Sequence, residues 1–590
     1  MYRSTFPTTP HREAYLRTGR IISGGETVQD MVTRIVTALE LADARFDPAG
    51  AEAFGERLGW AMDTERIVFS PSIMTNAGRS ADRPPAACTV DLRGDLAEVK
   101  TIVDGYHQAG MGTGFLLDGL DDPVGVLRYL NDIAVASANC GDGLVGNMAI
   151  LSLDHPRAED FIGCKIGADA RGEAWKFTIA LQVTDAQMRA ALSAPGRERQ
   201  LLIAAAEAAH ACADPGLLFA DRLGDGNPTP RDGAYVRTAP CAEVGLVAGE
   251  TCQFGYLNLG RFHTGGGTIP VDLDALADTT RTLVRALDDA IAASLQRYPN
   301  PLSAQVMGVN RKIGVGVCGL ADLLLAAGLP YDSAEARRLT QEVLALVNYT
   351  SKLASAELAR DRGACPAVGG GRSRYAQPAF LRRFAELGTT TVTRGDWNAL
   401  AARIAQTGLL RNSCTVAVPP TGRSAPVVGA STGIEPLVRL SGDQPGHRRA
   451  AVVAALQHAG RTDVLGFVDT CGRLPADPTL PERLRVLLAT ATQISPAGHL
   501  AMAAAVQACV DEPVSATVPL PGTARAIDVY DIFATAFELG CKGITVSRPA
   551  THSPYNTSVV SVASGAHAAM PAVLRPLPSA CPLPPAASPN

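Results

Sequence analysis

Residues Gly216–Phe262 read GLLFADRLGDGNPTPRDGAYVRTAPCAEVGLVAGETCQFGYLNLGRF. The stretch sets Cys241, Glu243 and Cys252 in a loop-strand context within a dozen residues. If Cys241 and Glu243 share one face at a strand end, period-two geometry turns a thiol and a base toward the same substrate. On residue types alone the default is blander: two buried cysteines and a surface glutamate.

Outward from this segment, β-type runs alternate with helical ones. RIVFS, AACTVDL, NMAILSL, FTIALQV, GYLNLG, IGVGVCGL, SCTVAVP and GITVSRP are separated by stretches such as DAQMRAAL and SAEARRLTQEVLALVNYTSKLASAELARDRG. Strands divided by helices long enough for crossovers imply mostly parallel pairing, and their number, near ten, suits a large barrel or a doubly wound sheet. Toward the N-terminus, ETVQDMVTRIVTALELA (26–42) carries apolar residues at helical spacing and predicts an amphipathic helix packed on the main domain. The last thirty residues are rich in Pro and Ala and nearly uncharged, so no core is expected there. The expected organisation is an N-terminal helical region (1–60), a catalytic domain (61–558) and a disordered tail (559–590).

The chain has 590 residues, enough for several domains or one barrel with insertions. A formal charge of −5 gives no footprint for duplex nucleic acid, while single nucleotides remain candidate ligands. No apolar run is long enough to span a membrane and the first residues have no apolar signal core, which predicts a cytoplasmic protein. Thirteen cysteines without a CxxC pair fit neither a secreted disulfide framework nor the simplest zinc site.

Further segments, in order, are SPSIMTNAG (70–78), AAC ending at Cys88, GMGTGF (110–115), GNMAILSLDHP, DPGLLFADR, NPTP, APCAE, CQFGYLNL, RKIGVGVCGLADLLLAAGLPYDS, PPTGRS, STGIEPL, ISPAGHLAMAAAVQACVDEPVS and ELGCKGITVSR. Together they resemble the large subunit of ribonucleotide reductases, most nearly the adenosylcobalamin-dependent class, from about residue 15 to residue 552. The resemblance implies a ten-stranded α/β barrel with a small N-terminal helical region, and a radical cysteine on a loop entering the barrel. Cys241 matches that cysteine, and Glu243 the base that takes the substrate's 3′-hydroxyl proton. Cys88 and Cys252 match the pair that reduces the 2′-position and finishes as a disulfide. Ser72, Ala87, Gly112, Ala239, Pro420, Thr421, Gly422, Arg423 and Ser424 fall where the family binds its nucleotide, and the turn after SCTVAVP offers backbone N–H groups and hydroxyls for phosphate. No metal ligand is assigned. The implied cofactor is adenosylcobalamin. The implied partners are a ribonucleoside di- or triphosphate, a thioredoxin-like reductant and a second copy of the chain, with no membrane. Tyr530 and Tyr555 form no adjacent tyrosine relay of the kind a metal-dependent partner subunit would need. With no helical module ahead of the Glu26 helix, no separate ATP-sensing domain is expected.

Four departures from the family pattern matter. Its asparagine two residues before the radical cysteine is Ala239, and its glycine before the glutamate is Ala242, which restricts the loop. Its effector loop, which carries two arginines, reads CGDGLVGNM (140–148), and Leu144 and Val145 cannot replace a guanidinium. Lys176 stands where a short polar residue is usual, and the tail holds only Cys581 instead of a cysteine pair. Reduction of ribonucleotides is therefore weighed against two alternatives: a repurposed radical enzyme that epimerises or dehydrates a nucleotide, and a non-catalytic nucleotide-binding paralogue.

Overall fold

The computed structural model describes residues 2–79, 83–86, 88–90, 96–140, 146–235, 237–239, 241–441 and 448–548, with Cys88–Val90 described by their backbone. Ala87, Leu144, Val145, Tyr555, Cys581 and the tail lie outside the described residues.

The amphipathic helix near the N-terminus spans Val28–Asp43. Its start is fixed by a reciprocal cap, in which Thr27 Oγ1 accepts from the Asp30 N–H at 3.1 Å while the Asp30 carboxylate accepts from the Thr27 N–H at 2.9 Å. Its apolar stripe, including Met31, Val32, Ile35, Val36 and Leu39, joins one cluster with Leu283, Val284 and Leu287 of the helix Leu273–Ser294. Polar ties add to this packing. Arg362 reaches Asp288 (3.0 Å), Asp289 (2.7 Å) and Asp43, and Arg285 pairs with Asp43 at 2.6 Å, all deep between the N-terminal helix and the helices Leu273–Ser294 and Ala334–Arg362.

Among the described residues twelve strands follow in chain order: β1 (Ile67–Phe69), β2 (Cys88–Val90), β3 (Gly112–Leu116), β4 (Asn147–Ser152), β5 (Thr178–Val183), β6 (Gly216–Phe219), β7 (Arg237–Thr238), β8 (Gly245–Leu246), β9 (Thr251–Asn258), β10 (Ile313–Cys318), β11 (Thr517–Pro519) and β12 (Gly543–Ser547). β2 to β6 pair in parallel, each strand crossing to the next through a helical connection as the sequence rhythm requires. A second parallel set runs from β9 to β10, then to the SCTVAVP segment by the bridge Val315↔Val416, then by Val418↔Val514 to the stretch entering β11, and on to β12. Antiparallel junctions β6/β12 and β2/β9 join the two sets into a closed barrel of ten strands, with β1 paired to the outer part of β9. The expectation of mostly parallel pairing holds within each half; between the halves the direction reverses.

Which way the strands face follows from the period of two. Ala149, Leu151, Ile179, Leu181, Leu217 and Phe219 pack in the cluster under the outer helices. Their alternates Met148, Ile150, Ala180 and Leu218 form a separate cluster with Ala242. The residue beside Cys241 therefore packs on the inward faces of β4, β5 and β6, which puts the tip of the β7–β8 hairpin inside the barrel. No helix among the described residues is long and apolar enough to cross a membrane.

Candidate active site

The hairpin ladder is Arg237↔Leu246 and Thr238↔Gly245, extended by the Ala239 N–H donating to Val244 O at 3.0 Å. The chain then reverses in a turn closed by the Ala242 N–H on Ala239 O at 2.8 Å, with Ala242 at φ +62°. A left-handed alanine costs about 1–2 kcal/mol, a strain glycine would not carry. Cys241 and Glu243 thus sit in a tight turn, not at a strand end, and period-two geometry does not relate them. They meet another way: the Glu243 carboxylate folds back to accept the Cys241 N–H at 3.0 Å.

Glu243 is 3 % exposed, and this burial raises its pKa from 4.5 to about 7, opposed in part by N–H donors of Glu243 and Cys241. Burial, and then the charge of Glu243, hold the Cys241 thiol well above its ordinary range, so it is neutral. Cys241 nevertheless keeps some exposure, whereas Cys252 is fully buried and its thiol is likewise pushed up by burial. Ala239 is fully buried with its backbone committed to the hairpin, and no amide stands at that position.

The antiparallel junction places Cys88 directly opposite Cys252, and the neighbouring parallel pair places Cys88 opposite Gly112. Gly112, Cys88 and Cys252 therefore occupy one rung across β3, β2 and β9. Residues opposed in an antiparallel ladder have Cα atoms about 4.5–5.5 Å apart, a spacing that a disulfide spans. Ser72 lies near this level: the helix Pro71–Asn76 begins after Ser70, whose N–H donates to Phe254 O at 3.0 Å, and the Ser70 and Ser72 hydroxyls lie 3.3 Å apart.

The Pro419–Ser424 turn stands at the far end of the SCTVAVP segment. Thr421, at φ +39°, accepts the Gly433 N–H on Oγ1 at 2.7 Å, which draws the STGIEPL loop over the turn. Pro420 is exposed and Gly422 partly so. The turn is less open than its sequence suggests, because the Ser424 N–H is taken by Thr421 O and the Arg423 guanidinium donates to Gly19 O at 3.1 Å. What it offers instead are hydroxyls: Ser424 Oγ and Ser431 Oγ are buried without a hydrogen-bond partner, a costly state that an added oxyanion or water would relieve. Ser431 was not singled out from the sequence; its signal was only membership of the STGIEPL motif.

Other departures resolve in part. The Lys176 backbone is clamped, its N–H to Asn131 Oδ1 at 2.7 Å and its carbonyl to Asn147 Nδ2 at 3.1 Å. Asn147, the first residue of β4 after the divergent loop, also accepts from Thr113 N and Oγ1 and contacts His107 Nε2 at 2.9 Å. That loop's base is thereby tied to the residue following Gly112. The Tyr530 hydroxyl donates to Ala191 O at 3.4 Å.

The barrel of ten strands with an interior hairpin agrees with the ten-stranded barrel and entering loop that the sequence resemblance implied. The fold matches the Actinobacillus ureae class Id ribonucleotide reductase alpha subunit with a TM-score of 0.73 and 17 % identity, over 93 % of this chain and 99 % of that one. Residues 194–547 match the ribonucleotide reductase barrel-domain family, and the chain belongs to this family. It is 30 % identical to a vitamin B12-dependent ribonucleoside-diphosphate reductase of Mycobacterium tuberculosis, covering 91 % of this chain and 78 % of that protein. A protein of the same name from Thermoplasma acidophilum is 28 % identical, covering 81 % of this chain and 63 % of that protein.

Proposed function

We propose that the chain reduces ribonucleotides to 2′-deoxyribonucleotides by thiyl-radical chemistry at Cys241, with adenosylcobalamin as the radical source. The observation that carries this reading is the hairpin tip: one partly exposed thiol held inside the barrel, with a buried carboxylate bonded to its own backbone. The vitamin B12-dependent names of the relatives support the cofactor. The neutral, reachable Cys241 thiol fits the hydrogen-atom exchange that such a cofactor requires, whereas the fully buried Cys252 thiol does not. When bound, the cofactor supplies a cobalt–carbon bond that breaks homolytically.

The chain's own residues do the rest. Cys241, as thiyl, takes the hydrogen atom from the 3′-carbon and later returns one. Glu243 accepts the 3′-hydroxyl proton, which eases departure of the 2′-oxygen as water. Cys88 and Cys252 together give up two electrons and two protons and end as a disulfide, matching one deoxynucleotide and one water formed per turnover. The orphan hydroxyls of Ser424 and Ser431, with Thr421 and Gly422, are suited to the phosphate end of the nucleotide, and Ser72 and Gly112 to its ribose side. A thioredoxin-like dithiol protein re-reduces the pair, in a cytoplasmic setting where thiols stay reduced.

A second reading is favoured by one observation. With Ala239 in place of an amide, a hydrogen bond near the 2′-oxygen is missing, a loss worth about 2.7–4 kcal/mol in a transition state. A redox-neutral outcome, epimerisation or dehydration, would not need the Cys88–Cys252 pair. Anaerobic incubation with adenosylcobalamin, a dithiol and each ribonucleoside di- and triphosphate decides. A product two electrons more reduced and lacking one oxygen supports reduction, and an isomeric or dehydrated product with a cob(II)alamin–thiyl signal in electron paramagnetic resonance supports the second reading. Absence of both product and signal overturns both.

A further inference from the structure

Below the hairpin tip lies a charged cluster that the reaction itself does not use. Lys312, immediately before β10, is 1 % exposed, and Glu250 and Glu512 are 0 % and 1 % exposed. All three converge on the C-terminal arm of the hairpin. The Lys312 ammonium donates to Gly245 O at 2.6 Å, and Glu512 Oε2 accepts the Gly245 N–H at 2.9 Å, so both backbone groups of one residue are held by buried charges. Glu250 Oε2 accepts the Val247 N–H at 3.1 Å, and Asn310 Nδ2 donates to its other oxygen at 2.8 Å. Lys312 also pairs with Glu250 at 3.2 Å and Glu512 at 3.3 Å.

Tyr235 closes the arrangement. Its hydroxyl donates to Glu512 Oε1 at 2.9 Å and accepts from Lys312 at 2.6 Å, and its ring fills the space where a Gly245 side chain would stand. Burial works against the Lys312 charge, but Glu250 and Glu512 outweigh it and hold the ammonium above the ordinary lysine range. Isolated buried charges would be expensive, and this set is fully hydrogen-bonded. Gly245 is two residues from Glu243 and four from Cys241, in a hairpin whose ladder is only two pairs long. So short a ladder does not fix its own tip, and bonds to Gly245 and Val247 set where the tip stands.

We propose that Lys312, Glu250 and Glu512 are positioning residues: a buried ionic clamp on Gly245 and Val247 that sets the depth of Cys241 and Glu243 in the barrel. The proposal rests on Cys241 being the reacting thiol. A misplacement near 1 Å costs about a hundredfold in rate, so the clamp's effect falls on kcat more than on substrate binding.

The test uses the full chain with Glu512→Gln, isosteric and uncharged, and with Lys312→Arg as a second variant that keeps the charge but changes its geometry. Hydroxyl-radical labelling without cofactor, which oxidises neutral thiols according to their exposure, is followed by peptide mass spectrometry, taking the ratio of Cys241 to the partly exposed Cys212. Deuterium uptake at Gly245 and kcat and KM for the loaded enzyme complete the set. The expected result is a change of about threefold or more in the labelling ratio, faster exchange at Gly245, and kcat lowered about tenfold with KM little changed. A variant that melts earlier yet keeps the wild-type labelling ratio and kcat shows a purely structural cluster and overturns the proposal. The two readings fail separately. If Cys241→Ser retains turnover, the functional reading falls; if Cys241→Ser is inactive and both clamp variants match wild type in ratio and kcat, only the clamp falls.

Discussion

The ratio kcat/KM should rise about tenfold between about pH 6 and about pH 8, because Glu243 of the free enzyme must be ionised to accept the 3′-hydroxyl proton. The magnitude follows from its burial, which lifts the carboxyl from 4.5 to about 7. A group with that pKa is about one-tenth ionised at the lower pH and about nine-tenths at the higher. A solvent-exposed glutamate would be almost fully ionised at both, and its profile nearly flat. The assay is kcat/KM under anaerobic conditions across this range, with Glu243→Gln as the inactive reference. A flat profile, or activity retained in Glu243→Gln, would refute both the assignment of Glu243 as base and the link between its burial and its reactivity.

The same shift predicts a stability signature. The native state holds a proton on Glu243 that the unfolded chain releases near 4.5, so stability falls as pH rises from about 4.5 through 7, by about 3 kcal/mol. Urea unfolding of Glu243→Gln should lack that slope; parallel pH dependences would sink the argument. Ala242→Gly should relieve about 1–2 kcal/mol of left-handed strain and leave stability nearly unchanged, since glycine's extra unfolded-state entropy, up to about 1 kcal/mol, and the lost buried methyl, about 0.8 kcal/mol, offset the relief. A clear fall in melting temperature would contradict it. Cys88→Ser or Cys252→Ser should abolish the reduced product, and full multiple turnover by either would exclude a disulfide-forming pair. Arg362→Met should cost about 3–5 kcal/mol by taking the ion-pair partner from buried Asp289, while Asp43 keeps Arg285 and Asp288 keeps Arg311 and Arg411, and should free the N-terminal helices to proteolysis. Unchanged melting and cleavage would show that apolar packing alone secures them.

The sequence made some of this legible and hid the rest for physical reasons. Strand identity is local, so FTIALQV and IGVGVCGL were readable as β5 and β10, and the helix of residues 26–42 was readable from its stripe. Direction is not local: nothing within β2 or β9 announces that these two strands oppose each other, and SCTVAVP joins the barrel by bridges alone. At the site, Cys241 and Glu243 were visible as a pair, but the backbone-to-carboxylate bond depends on the turn at Ala242. Lys312 and Glu512 lie in quoted motifs some 200 residues apart, and only the fold shows that both hold Gly245.

Cys88 and Cys252 stand on the two lips of a seam between half-barrels, joined there by a short antiparallel contact. A covalent bond formed across that seam would rivet the halves, and its removal would unfasten them. Redox state and the mechanical stiffness of the barrel wall would then be one variable, so that a spent enzyme is also a stiffened one.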